Sequence, residues 1–146
     1  MSRRFTHHEA EALLTAVEGL LRQAMALRDG LAEVVSDLAV VARHVSESGG
    51  ALVHVDQVTE AQARRAALTA RLKEAIENVQ EFGCQIKDLE AGLLDFPTEF
   101  QGREVLLCWK VGEKGIQYWH EVADGFRGRK PIDQYFLENH HGDPPN

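Results

Sequence analysis

The side chains best suited to chemistry gather in the C-terminal half of the chain. Asp88, Asp95, Cys108, Glu113, His120, Glu121 and Arg129 supply carboxylates, a thiol, an imidazole and a guanidinium, the types that bind metal ions or move protons. Asp88, Asp95, Glu113, His120 and Arg129 are expected to form one polar cluster, holding a small ligand or pairing among themselves. Cys108, His120 and Glu121 are the set with metal-ligating chemistry. The spacing argues less strongly than the types. Cys108 to His120 matches no zinc signature, and neither His120-Glu121 nor His8-Glu9 is followed by the second histidine of an HExxH helix. The competing reading is structural: His120 satisfies a buried acceptor, Arg129 pairs with Asp88 or Asp95, and Glu113 lies in solvent at a turn.

The segment Gly125-Phe126-Arg127-Gly128-Arg129-Lys130-Pro131 joins flexible backbone to three cations, which suits a small anionic ligand and equally suits a solvated turn. Trp109, Tyr118, Trp119 and Phe126 have the flat faces to stack on a ligand, yet aromatics in a small hairpin lying on helices are expected to be its core. His7 with His8 and His140 with His141 are not expected to bind metal. No dinucleotide fingerprint, phosphate loop or nucleophile elbow is present, so no known enzyme class is supported and no cofactor beyond a metal is expected.

Elements must bring these residues together. Residues 104–111 and 116–122 are rich in β-branched and aromatic types around Gly112-Glu113-Lys114-Gly115, and read as a β-hairpin. Two registers are open. One sets Trp109 opposite Tyr118 and Leu107 opposite His120; the other sets Trp109 opposite Trp119 and Cys108 opposite His120, and only that one is expected to join thiol and imidazole. Upstream, Thr6 with Glu9 makes a capping box, and Leu13, Val17, Leu20, Ala24, Leu27, Leu31, Val34, Leu38, Val41 and Val45 recur at alternating steps of four and three. A long helix follows, with Asp29-Gly30 failing to break the phase and Ser48-Gly49-Gly50 ending it. A second seam, Leu68, Leu72, Ala75, Val79, Phe82, Ile86 and Leu89, is the returning helix, which stops near Gly92.

The fold class expected is mainly α with a small β-hairpin (α+β): a long antiparallel, coiled-coil-like helical hairpin, then a two-stranded antiparallel β-hairpin packed on the helix ends. A single domain spans 1–138: long helix 6–48, loop 49–58, returning helix 59–91, connector 92–103, β-hairpin 104–122, and C-terminal loop and extension 123–138. Residues 139–146 read as a disordered tail. Leu14, Leu21, Val35 and Ala42 widen the stripe of the first helix; the C-terminal segment can cover part of it, and for a rod of this length a homodimer through the long helices is expected to cover the rest.

Composition narrows the partners. A net charge of −7 repels phosphate backbones, so no nucleic-acid partner is expected. Arg3 and Arg4 precede His7, His8, Glu9 and Glu11 where an export signal would turn apolar, and no stretch is apolar enough to span a membrane. The expectation is a cytoplasmic chain with Cys84 and Cys108 as buried reduced thiols.

One group of residues resembles a known family. Lys87-Asp88-Leu89, Gly92-Leu93-Leu94-Asp95-Phe96-Pro97, Leu107-Cys108-Trp109, Gly112-Glu113, Tyr118-Trp119-His120 and Gly125-Phe126-Arg127-Gly128-Arg129, with Phe5-Thr6 ahead of Glu9-Ala10 and Leu13-Leu14, are similar to the prokaryotic domain-of-unknown-function family 2203. The resemblance implies a bacterial origin and no activity, and its motif block marks the same C-terminal cluster. Two functions are therefore expected in competition: a dimeric helical interaction or scaffold protein, and a small-ligand, anion or metal-binding protein, catalytic or not, using that cluster.

Overall fold

The computed structural model describes residues 3–49 and 55–144. Helix α1 (His7–Glu47) opens on the expected capping box: Glu9 N–H donates to Thr6 Oγ1 at 3.1 Å and Thr6 N–H to Glu9 Oε1 at 2.8 Å. It runs unbroken through Gly30 to the C-cap Ser48. At 41 residues it is a rod of about 60 Å. Helix α2 (Val55–Gln80) returns beside it, with Ala24 and Leu27 packed on Ala75, Leu68 and Leu72. Residues 55–58, expected as loop, are helical. The rest of that expected loop, 50–54, lies outside the described residues.

The returning helix ends at Gln80, well short of position 91. Gly83 takes φ +98°, and a Cβ there would stand 3.0 Å from Arg3 Cβ and 3.2 Å from the Phe5 ring. Only glycine closes the chain so tightly against the N-terminal segment. Ile86 and Leu89 therefore leave the helix but keep their apolar partners, packing on the same core from a strand and a turn.

The β part is larger than a two-stranded hairpin. Strands β1 (Gln85–Asp88), β2 (Leu93–Phe100), β3 (Arg103–Lys110), β4 (Tyr118–Glu121) and β5 (Lys130–Pro131) line up in chain order. A short β6 (His140–His141) after α3 (Gln134–Asn139) pairs with the far end of β2, completing six strands, antiparallel throughout. The expected connector 92–103 is mostly β2, an inner strand. Pro97 is tolerated there because its carbonyl faces the gap between β1 and β6, where it accepts Phe5 N–H at 2.7 Å, so the missing N–H breaks no bond to β3. Gln101 and Gly102, at φ +55° and +76°, make the two-residue turn into β3.

The β3–β4 register is neither of the two expected: Cys108 faces Tyr118, Leu107 faces Trp119 and Leu106 faces His120. Ile116 is the cause. Its N–H donates to Glu11 Oε1 at 2.5 Å and its carbonyl accepts from His7 Nε2 at 2.7 Å, so it leaves the ladder to bind the first turns of α1. The chain from 111 to 117 becomes a long loop, and the strands slip.

One sheet face, with Leu94, Phe96, Phe100, Val105, Leu107, Trp109 and Trp119, packs on Phe5, Ala10, Leu14, Val17 and Leu21. Leu14 and Leu21 are the part of the widened stripe that the C-terminal segment covers. Phe136 of α3 stacks on Trp119 at 5.1 Å and on His140 at 5.1 Å, and β6 continues the closure, so residues 139–144 belong to the fold and not to a tail. Farther along α1 the sheet no longer reaches. Among the described residues beyond Leu27, Val34 is the only fully buried one of α1, while Val35 and Val40 are 41% and 58% exposed.

Candidate functional site

The opposite sheet face carries the chemistry. Side chains alternate across a strand, so Asp95, Cys108 and His120 project to one side while Trp109 and Trp119 project to the other. Asp95 lies directly opposite Cys108 on β3, and His120, opposite Leu106, is the diagonal neighbour of Cys108. The observed slip of two from the second expected register keeps the same face outward, which is why thiol and imidazole still meet. One donor atom from each of the three lies within 4.8 Å of the others, and all three residues are about 1% exposed.

His120 Nε2 stands 3.0 Å from Asp95 Oδ1, and Nδ1 stands 2.8 Å from the Glu121 carbonyl oxygen. A carbonyl only accepts, so Nδ1 carries a hydrogen. The Nε2–Oδ1 contact is a hydrogen bond whose proton comes either with a doubly protonated, cationic ring or from the Asp95 carboxyl. Cys108 is held as a thiol: burial pushes it up to about 12, with the Asp95 carboxylate adding to the effect and the Arg129 charge opposing it. Cys84, in the core below α2, is likewise pushed up to about 11 by burial and donates to the Val79 carbonyl oxygen at 3.4 Å. Both thiols are free and buried.

Arg129 flanks this trio. Its NH2 group donates to both oxygens of Glu113 at 2.8 and 2.7 Å, and its guanidinium is sandwiched between the Tyr118 and Phe126 rings at 4.0 and 4.5 Å. Its Nε is fully buried and has no hydrogen-bond partner among the described residues. Glu113 is not a solvated turn residue. It also accepts from Lys110 N–H at 2.7 Å, and its carbonyl accepts from Trp109 Nε1 at 3.0 Å. Arg129 thus pairs with Glu113, and not with Asp88 or Asp95.

Two expected members stand apart. Asp88 is exposed and closes the β1–β2 turn by accepting from Ala91 N–H at 3.0 Å. Glu121, next to His120 in a strand, must face the other way; there Arg103 holds it at 2.7 Å through Nε and lowers its carboxyl below the usual range. Asp95 takes its place beside Cys108 and His120. The cations of the glycine loop also diverge: Lys130 lies over the Trp119 ring at 4.7 Å and Arg127 is in solvent, leaving Arg129 alone at the cluster. Of the aromatics, Trp109 and Trp119 are core, and Tyr118 and Phe126 clasp Arg129.

A contact with no sequence signal joins the chain ends. His140 Nε2 accepts His7 N–H at 2.8 Å, at the exposed N–H groups of α1, and its Nδ1 donates to the Phe136 carbonyl oxygen at 2.9 Å. This requires neutral imidazole, and burial lowers the pKa of His140 accordingly.

No helix among the described residues is long and apolar enough to cross a membrane. Neither the curated proteins nor the solved structures include a match to the chain. A family model does match, that of an uncharacterized conserved protein, DUF2203, over residues 3–132, which takes in α1 to β5 and the whole Asp95, Cys108, Glu113, His120 and Arg129 cluster. The chain belongs to the DUF2203 family.

Proposed function

We propose that the protein is a cytoplasmic interaction protein of bacterial origin, in which the sheet forms a head and the α1–α2 pair a coiled-coil-like arm that joins a second copy. The observation that carries this reading is the unfinished arm. Past Leu27 only Val34 of α1 is fully buried, while Leu31, Leu38, Val41 and Val45 stay half-exposed and Val35 and Val40 more so. A helix pair this long buries one stripe per helix, and a second pair lying across a two-fold axis would cover the rest. The charge of −7 argues against nucleic acid as the partner.

Sedimentation velocity at micromolar concentration tests it. Wild type should run as a dimer, and Val35→Glu should run as a folded monomer, because Val35 lies at the edge of the seam and a carboxylate there meets water in the monomer and apolar surface in the dimer. A wild-type monomer would reject the reading. A second reading, a small-ligand or anion site on the sheet, with or without catalysis, is favoured by the unpartnered Arg129 Nε.

A further inference from the structure

The trio Asp95, Cys108 and His120 has three properties that point beyond a structural knot. The donors are of different kinds, carboxylate oxygen, sulfur and imidazole nitrogen, and stand on adjacent strands of a rigid sheet, where register fixes their separation. The imidazole is already oriented as a ligand. Its Nδ1 donates to the Glu121 carbonyl at 2.8 Å, the outer contact by which metal-bound histidines hold the ring and present Nε2 as a lone pair. Nε2 faces Asp95 Oδ1 at 3.0 Å, and the place a proton holds between them is one that a metal ion can take over.

We propose that Asp95, Cys108 and His120 bind one divalent transition-metal ion of the Zn2+ class, through a carboxylate oxygen, Sγ and Nε2, with a fourth position left to water. On binding, Cys108 releases its thiol proton to solvent, and carboxylate plus thiolate balance the two positive charges, so the buried unit is neutral. Sulfur and nitrogen donors select Zn2+ or Co2+ over Ca2+ and Mg2+, which take oxygen sets. Tetrahedral bonds of about 2.0–2.3 Å place ligand atoms about 3.3–3.8 Å apart. The present 4.8 Å limit therefore requires the widest pair to close by about 1 Å, within reach of side-chain rotation. Three protein ligands with one open position is the arrangement of reactive metal sites, and Arg129, whose Nε is unpartnered, is near enough for its charge to act on Cys108. This site is independent of the dimer reading.

The test uses the full chain without an affinity tag, titrated with Co2+ alone and then with Zn2+. Wild type should bind one Co2+ per chain with a sulfur-to-cobalt charge-transfer absorption that Zn2+ abolishes, and Zn2+ at about 100 times Kd should raise Tm by about 5–10 °C. The chain has two cysteines, so in Cys84→Ala a retained band can come only from Cys108. Cys108→Ser should lose the band, and Asp95→Asn should weaken Co2+ binding by more than the ~10–100-fold that losing an outer partner costs. Folded wild type with no charge-transfer band and no Zn2+ stabilisation would overturn the proposal. So would a band lost in folded Cys84→Ala or kept in Cys108→Ser.

Discussion

Acidification should loosen the closure of the chain ends, and His140 is the group responsible. Its Nε2 accepts His7 N–H at 2.8 Å in the first turn of α1, and its Nδ1 donates to the Phe136 carbonyl, so both nitrogens are committed in the neutral form. Burial is the first cause that lowers its pKa from 6.5, and the neighbouring His7 and His141 add to it. The sign follows from linkage: the unfolded chain takes up the proton first, so the stability His140 contributes is complete above 6.5 and is lost as pH falls through the folded value. Protonation forfeits one hydrogen bond, about 0.5–1.5 kcal/mol, and places a cation at a helix N-terminus, about 0.3–1 kcal/mol. Together these come to about 1–2 kcal/mol, or roughly 3–6 °C in Tm for a chain of this size. The assay is thermal melting of wild type and His140→Ala at about pH 7.5 and pH 5, read as the Tm gap between them. The other titrating groups here, His7, His141, Glu9, Glu11 and Asp143, are common to both proteins and cancel to first order. The gap should narrow by those few degrees at acid pH. A gap that holds constant or widens would refute the capping argument.

Three further perturbations probe the cluster and its frame. In metal-free protein, His120→Ala should cost about 3–5 kcal/mol in a urea titration, since it strands the Asp95 carboxylate in a site about 1% exposed. Gly92→Ala should cost about 2–4 kcal/mol in the same titration, because φ is +74° and the new methyl would stand 2.7 Å from Val111 Cγ2. Cys84 and Cys108 should resist alkylation in native protein and react fully in denaturant. Because both thiols are raised from 9.0 in the fold, stability should fall as pH climbs above that value; rapid native alkylation at neutral pH would contradict their burial.

The features that came through in the sequence were local ones. Thr6 and Glu9 sit three apart and satisfy each other's backbone, so the start of α1 is written in two residues. What failed depended on partners distant in the chain. Phe82, Ile86 and Leu89 continue a helical spacing on paper, but Gly83 turns the chain against Phe5, which lies at the other end of the sequence. Asp95-Phe96-Pro97 reads as a helix breaker until Phe5 N–H is seen occupying the one place in the sheet where a proline carbonyl needs a partner. The hairpin register was undecidable for the same reason: Ile116 belongs to α1, through Glu11 and His7, and nothing near position 116 says so. The site shows both behaviours at once. Residue type singled out Cys108 and His120, whereas strand alternation alone would have rejected Glu121 beside His120, and choosing Asp95 needed β2 to be known as a strand. Arg129 and Glu113 were visible as charges but not as a pair, because the loop that joins them takes its course from the slipped register. Chemistry-bearing types are thus legible early, and their juxtaposition is a property of long-range contacts. By the same argument, moving Ile116 should disturb the cluster from a distance: Glu11→Ala removes the acceptor that pulls Ile116 out of the ladder. That change should shift the His120 and Arg129 backbone amide resonances although neither residue contacts Glu11, and unchanged resonances would show that the register is set elsewhere.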